Sequence, residues 1–276
     1  MTYEYIGGNP QYMLHALDLA TLSEKMAPVQ VSASHVQSDG STVYDFNATY
    51  SHQRAAPLEA DGNIYAAFGS FCDLGAKETR GWLLGWNAAT LAPLATAQLT
   101  NRVLPGNSPD DYFLTSISMS GAGPAWAGAG NIFFVTGNAD KSGTAYDDVD
   151  GINVSESVVE VTPDLGAVYS YISPTDANAN VSVMDQKDQD FGAGGVMLVP
   201  DQPGSGQWLA VAAGKVGIMY LLNRVYLGGE NAGNALGEYS IGRCWCTPSY
   251  FVGSDGVGRI VSSDGTTVGV WESSRK

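Results

Sequence analysis

The sequence predicts an all-β fold: a β-propeller of four-stranded antiparallel blades, either a partial propeller or a fragment of a seven- or eight-bladed one. Three observations carry this. One apolar hairpin layout recurs four times along the 276 residues. The runs between turns are short, rich in Val, Ile, Tyr, Phe and Trp, and bounded by Gly, Asn, Asp and Pro, which is the strand signature. No stretch carries the apolar stripe of an ordinary amphipathic helix; the best helical candidate, near residues 182–189, lacks one.

The elements follow in order, within one propeller-type domain spanning residues 1–276. Residues 1–32 form a partial blade. Its MLHALDLATLSEKMAPVQV (13–31) matches GWLLGWNAATLAPLATAQL (81–99). Both run strand, Asp or Asn, Ala-Thr-Leu, strand, so the chain is expected to enter at a third strand. The blade at 53–100 opens with AAPLEADGNIYAAFGS: a small residue and Pro, an apolar strand, a turn, an Asn, and a second strand of aromatic and β-branched residues. Its third strand is GWLLGWNAATLAPL and its fourth ATAQLTNR.

The blade at 118–173 repeats the layout in GPAWAGAGNIFFVTGN, ESVVEVTPDLGAVY and AVYSYIS. The blade at 190–226 repeats it with a longer turn in GGVMLVPDQPGSGQWLAVAAG, then VGIMYLLNR. A last partial blade, 243–274, holds CTPSYFVGSDGVGRIVSS and TTVGVWES, so the chain leaves after another third strand. Pro57, Pro124, Gly195 and Pro248 hold equivalent places, at steps of 67, 71 and 53 residues. Repetition at tens of residues signals stacked units, each too small to bury both its faces alone. A β-sandwich would not recur in matched blocks.

Composition narrows the function. With 34 Gly and 12 Pro but only 15% charged residues, the chain is turn-rich and globular. Thirteen basic residues against 28 acidic ones leave a net charge of −15. Nucleic acid is therefore excluded as a partner and an anionic membrane surface disfavoured, since both need clustered Lys and Arg. The charge suits a soluble secreted or periplasmic protein, or a cation binder. No apolar run spans a bilayer; WLAVAAGKVGIMYLL (208–222) is broken by Lys215 and two glycines. MTYEYIGGNP has neither the basic nor the apolar region of a signal peptide. Either the protein is cytosolic or the sequence starts after a removed signal; the expectation is secreted or periplasmic. Asn47, Asn153 and Asn180 fit the glycosylation sequon.

Several of these stretches, among them LHALDLATL, HQRAAPLEADGNIYAAFGS, MSGAGPAWAGAGNIFFVTGN and FGAGGVMLVPDQPGSGQWLAVAAGKVGIMYLLNR, resemble pyrroloquinoline-quinone-type (quinoprotein-like) propeller repeats. They are most similar to secreted or periplasmic repeat proteins. The resemblance runs from about Tyr12 to Trp271 and is specific for fold rather than activity. It implies a cofactor over the central axis with a tryptophan floor, a lid formed by a disulfide between adjacent cysteines, and calcium held by acidic and amide side chains. The sequence departs from that pattern: it has no adjacent Cys-Cys pair, and LDLATLSEKM keeps Asp18-x-x-Thr21 but has Leu22 where the docking signature has Gly.

Propeller ligands gather where the innermost strands begin. Those entries are SHQRAAP, SMSGAGP, DQDFGAGG and RCWCTPS. They supply His52, Gln53, Arg54, Ser118, Ser120, Asp188, Asp190, Arg243, Cys244, Trp245 and Cys246, a polar ring with both signs of charge. One reading is a ligand site at the channel mouth; the other is that these groups satisfy backbone and lock blades together. As a ligand site, the cofactor-binding residues are Gln53, Arg54, Ser120, Arg243 and Trp245. The resemblance implies Arg54 on cofactor carboxylates, Trp245 stacking, and Asp188 and Asp190 holding calcium or acting as catalytic base.

Three cysteines, Cys72, Cys244 and Cys246, make no disulfide framework. Cys244-Trp245-Cys246 reads first as two buried thiols, with a strained disulfide or a metal ligand pair as alternatives. TAYDDVDG (144–151) brings together Asp147, Asp148 and Asp150, but without EF-hand spacing, so it reads as a solvated acidic loop. Ser120 is no nucleophile elbow, because no helix follows. Function is therefore expected to be a rigid binding or scaffold module with a small molecule or protein at the channel mouth. The alternatives are an oxidoreductase of alcohols or sugars using pyrroloquinoline quinone (PQQ) and calcium, and a polysaccharide-acting enzyme with paired carboxylates.

Overall fold

The computed structural model describes residues 1–71, 79–104, 115–139, 151–173, 181–201, 208–229 and 235–272. Cys72, Asn180 and the acidic group Asp147, Asp148 and Asp150 lie outside them. The described chain is a succession of small antiparallel sheets. The first joins β1 (Thr2–Ile6), β2 (Asn9–Leu14) and β3 (Val29–Gln30). A two-stranded hairpin, β4 (Ser34–Val36) and β5 (Val43–Asp45), follows.

The second sheet centres on the long β8 (Asn63–Ser70). One edge of β8 pairs with β6 (Ser51–His52) and β7 (Leu58–Ala60), the other with β9 (Trp82–Asn87), which leads to β10 (Gln98–Leu99). The third sheet runs β11 (Ala125–Trp126), β12 (Ile132–Val135), β13 (Val158–Val161), β14 (Val168–Ile172). A short helix, α1 (Val181–Lys187), precedes the fourth sheet: β15 (Gly195–Leu198), β16 (Leu209–Ala213), β17 (Ile218–Asn223), β18 (Gly237–Ser240). The last sheet holds β19 (Ser249–Val252), β20 (Gly258–Ser263) and β21 (Val268–Glu272).

The sheets stack face to face, as propeller blades do, and this explains their near-continuous apolar runs. Along β8, Tyr65 and Ala67 enter the core shared with the third sheet, while Ala66 and Phe68 enter the core shared with the first. Along β16, Ala210 and Ala212 face the third sheet's core, and Leu209, Val211 and Ala213 face the last. A strand buried on both faces has no use for polar alternation. Neighbouring sheets are also tied by polar bonds: Tyr65 donates its hydroxyl to the Pro163 carbonyl at 2.7 Å, and Gln98 Nε2 to the Leu165 carbonyl at 2.6 Å.

Where the first strands begin, backbones meet closely. A Cβ on Gly123 would lie 2.4 Å from the Ala56 carbonyl oxygen, and one on Gly192 would lie 2.4 Å from the Gly137 nitrogen. Only glycine permits that approach.

The structure corrects or extends the sequence reading at several points. The chain enters at a second strand, not a third, because β1 turns into β2 through Gly7-Gly8, both at positive φ (61° and 87°), a primed hairpin turn. Leu22 and Leu91 adopt positive φ, 56° and 57°, each closing a turn in which Asp18 or Asn87 accepts two backbone N–H groups and a threonine hydroxyl. Leu22 thus takes the left-handed conformation for which the docking signature supplies glycine. Cys244 and Cys246 form a disulfide rather than two thiols, their Cα atoms 5.2 Å apart. The chain bends at Trp245 and Cys246, which brings the two Cα atoms within bridging reach. Asn153 is wholly buried and bonded to Asn101 and Thr115, so that sequon cannot carry a glycan in the folded chain.

Candidate functional site

Four entry segments and three strand ends converge on one cleft of about 290 Å³. The entries lead into the first strands of the second to fifth sheets and contribute Arg54, then Ser116, Ser118 and Ser120, then Asp188, Asp190, Gly192 and Ala193, and finally Trp245. The strand ends contribute Ser70 at the end of β8, Gly137 and Asn138 after β12, and Lys215 after β16. Antiparallel pairing requires this: β15 and β16 pair Gly195 with Ala213, so the chain just before β15 lies beside the chain just after β16.

Of the residues expected to bind or catalyse, Arg54, Ser120, Asp188, Asp190 and Trp245 line this cleft. Gln53 and Arg243 do not: the Gln53 side-chain amide folds back onto the Ala55 carbonyl, and Arg243 is exposed outside the lining. His52 also lies outside, stacked on Phe71 with ring centroids 4.8 Å apart. Burial and then the Arg54 charge push its imidazole below the usual value. Ser70, Ser116, Asn138 and Lys215 were not anticipated. For Ser70, Asn138 and Lys215 the signal is the pairing itself, which carries the end of each second strand to the mouth of the first; Ser116 lies just ahead of the entry SMSGAGP.

Lys215 organises the charges. Its ammonium binds Asp190 and also reaches Asp188 Oδ1 at 3.3 Å. The Asp190 and Lys215 side chains are only 20% and 17% exposed, that of Asp188 78%. Burial alone would push the Lys215 ammonium down, but the hydrogen bond and charge of Asp190, with Asp188 behind them, outweigh it and raise it.

Beneath Asp190 lies Glu156, wholly buried, at a positive φ of 48°. Its Oε2 accepts the Phe191 N–H at 2.6 Å, tying the third sheet to the entry of the fourth. Burial, then the Asp190 charge, pushes its carboxyl well above the usual range, against the opposing effect of the Phe191 N–H. The group wedges the third sheet against the entry of the fourth, and its surroundings favour the neutral carboxyl over the carboxylate.

Two groups in the cleft lack partners among the described residues. The Arg54 guanidinium makes no ion pair or hydrogen bond among the described residues. The Ser116 hydroxyl is buried, its residue 8% exposed, with no hydrogen-bond partner among the described residues. Trp245 presents a half-exposed indole at the rim. Ser120, by contrast, donates its hydroxyl to the Ala193 carbonyl and so locks two entries together. Calcium does not fit this donor set. The two available carboxylates already hold an ammonium, Glu156 is wholly buried behind Asp190, and no group of three or more metal-ligating side chains occurs among the described residues.

No family model and no curated protein matches this chain. Among solved structures it is similar to the quinohemoprotein alcohol dehydrogenase from Comamonas testosteroni, at 14% identity and a TM-score of 0.52. The match covers 85% of this chain and 34% of that one, so the chain spans about a third of the length of that structure. A likeness at that identity shows the fold alone. Among the described residues no helix is long and apolar enough to cross a membrane.

Proposed function

We propose that this chain is a quinoprotein-like propeller unit that acts as a rigid binding module, its ligand seated in the cleft where the first strands begin. The carrying observation is the buried Ser116 hydroxyl, which has no partner among the described residues, beside the exposed Arg54 guanidinium, which makes no ion pair there. A buried donor without a partner costs about 1–3 kcal/mol, and a ligand that accepts from it recovers that cost. Convergence of four backbone entries, held by glycine-tight contacts, makes the cleft preformed. Arg54 calls for an anionic group, and the Trp245 face for a flat or ring-shaped body beside it.

The second reading is an oxidoreductase, favoured by the name of the structural neighbour, a quinohemoprotein alcohol dehydrogenase. A flat polycarboxylate such as PQQ suits Arg54 and Trp245. The calcium expected with it does not fit beside Lys215. Titration with PQQ, with and without calcium, separates the readings. A binding module gives saturable tryptophan quenching that is indifferent to calcium and yields no dye-linked oxidation of alcohols or sugars. Calcium-dependent quenching with turnover would establish the oxidoreductase instead.

A further inference from the structure

A second and larger cleft, about 530 Å³, lies on the other side of the sheets, along their outermost strands. One wall is β14, from which Tyr169 and Tyr171 line the opening. Gln98 and Arg102, at and beyond β10, form a second wall, with His35 of β4 and Tyr226 beyond β17 completing it. Tyr169 and Tyr226 are 56% and 62% exposed. The Gly229 N–H bonds the Tyr171 carbonyl at 2.7 Å and closes the end of the groove.

Charge sets this groove apart. The chain carries a net charge of −15, yet no Asp or Glu lines the groove among the described residues. Arg102 does line it, and its guanidinium has no carboxylate partner among the described residues. Its backbone is fixed on both sides, by N–H to the Ile152 carbonyl at 2.9 Å and by its own carbonyl to Ser38 N–H at 2.8 Å. His35 turns Nδ1 onto the Val36 carbonyl at 2.7 Å, leaving Nε2 as its other polar atom.

The walls are aromatic but wet. A drug-like aromatic ligand prefers an enclosed apolar pocket that buries most of its surface. Open tyrosine platforms with polar tips, beside exposed backbone edges, instead suit a ligand with an apolar face and many hydroxyls. Sugar rings have both. We propose that this groove binds an acidic oligosaccharide: pyranose faces pack on Tyr169 and Tyr226, and an acidic group pairs with Arg102. The site is independent of the axial cleft, with which it shares no lining residue.

Calorimetric titration of the whole chain tests this with three probes: tetragalacturonate, a sulfated tetrasaccharide of the chondroitin type, and neutral maltotetraose. The expected result is saturable binding of one or both acidic probes and far weaker binding of the neutral one; which acid binds distinguishes a carboxylate from a sulfate ligand. Tyr169→Ala and Tyr226→Ala should each weaken binding. Arg102→Gln should do so about fivefold, the size of an exposed charge pair. Arg54→Ala, in the other cleft, should leave it unchanged. All three groove positions are at least partly exposed, and unchanged thermal melts certify folding. Failure of both acidic probes to bind overturns the proposal, as does equal binding of maltotetraose or indifference to all three groove variants.

Discussion

Removing the Lys215 ammonium tests how the axial cleft is held together. In Lys215→Met, Asp190 keeps a carboxylate in a site that is one-fifth exposed and loses the ammonium that it binds. Breaking a fully buried pair by deleting one partner costs about 3–5 kcal/mol, and an exposed pair contributes about 0–1 kcal/mol. The Lys215–Asp190 contact lies between these limits and is expected near 2 kcal/mol. The Lys215–Asp188 contact, with Asp188 78% exposed, should contribute a few tenths at most. Urea unfolding of Lys215→Met, Asp190→Asn, Asp188→Asn and the two double variants yields both coupling energies. The expected order is a large coupling to Asp190 and a negligible one to Asp188. Lys215→Met should also let calcium into the cleft, where the parent chain excludes it. Equal couplings, or a Lys215→Met loss below about 0.5 kcal/mol, would show the ammonium free in solvent and refute the arrangement.

Further predictions rest on backbone, proton and disulfide. Leu22→Gly removes a left-handed leucine whose side chain is 70% exposed, and relief of about 1–2 kcal/mol of strain outweighs glycine's entropic cost of about 0.5–1 kcal/mol, so stability should rise slightly. Leu91→Gly, at the same turn position but 3% exposed, should destabilise by about 2–5 kcal/mol, because core packing is lost; both are read by urea unfolding. Glu156 has a raised folded pKa, so its contribution is fully present below its unfolded value, near 4.5, and is lost as pH rises through the folded value. Glu156→Gln, which keeps an acceptor for the Phe191 N–H, should therefore flatten the fall in stability above pH 4.5 and exceed the parent at alkaline pH; a parent whose stability rises across that window would contradict it. A thiol assay on the denatured, unreduced chain should find one thiol of the three cysteines, and all three after reduction.

The repeat was legible because each hairpin writes its own turn. Ala-Thr-Leu after Asp18 and Asn87 marks the same left-handed turn twice, and the fourth strands ATAQL and AVYSYI appear as β10 and β14. The entry segments could be found because propeller geometry gathers first-strand starts. Their partners could not be found from composition. Lys215 reads in sequence as an interruption of an apolar run, and only the β15–β16 register carries it to Asp190.

The missed strand β1 had a signal in Gly7-Gly8, and the missed hairpin β4–β5 had one in Asp39-Gly40, where Asp39 Oδ1 accepts the Ser41 and Thr42 N–H groups. The strand β18 had none: GEYS pairs with β17 through tertiary context alone. Burial of Asn153 was equally invisible, since a sequon specifies residues and not exposure.

A crystal structure of the chain soaked with PQQ tests the central claim most directly. The quinone is expected in the cleft at the strand entries, a carboxylate on the Arg54 guanidinium and its rings against Trp245, with Lys215 still bound to Asp190 and no metal between Asp188 and Asp190. Quinone bound elsewhere, quinone absent at saturating concentration, or a calcium ion displacing Lys215 from Asp190 would contradict it.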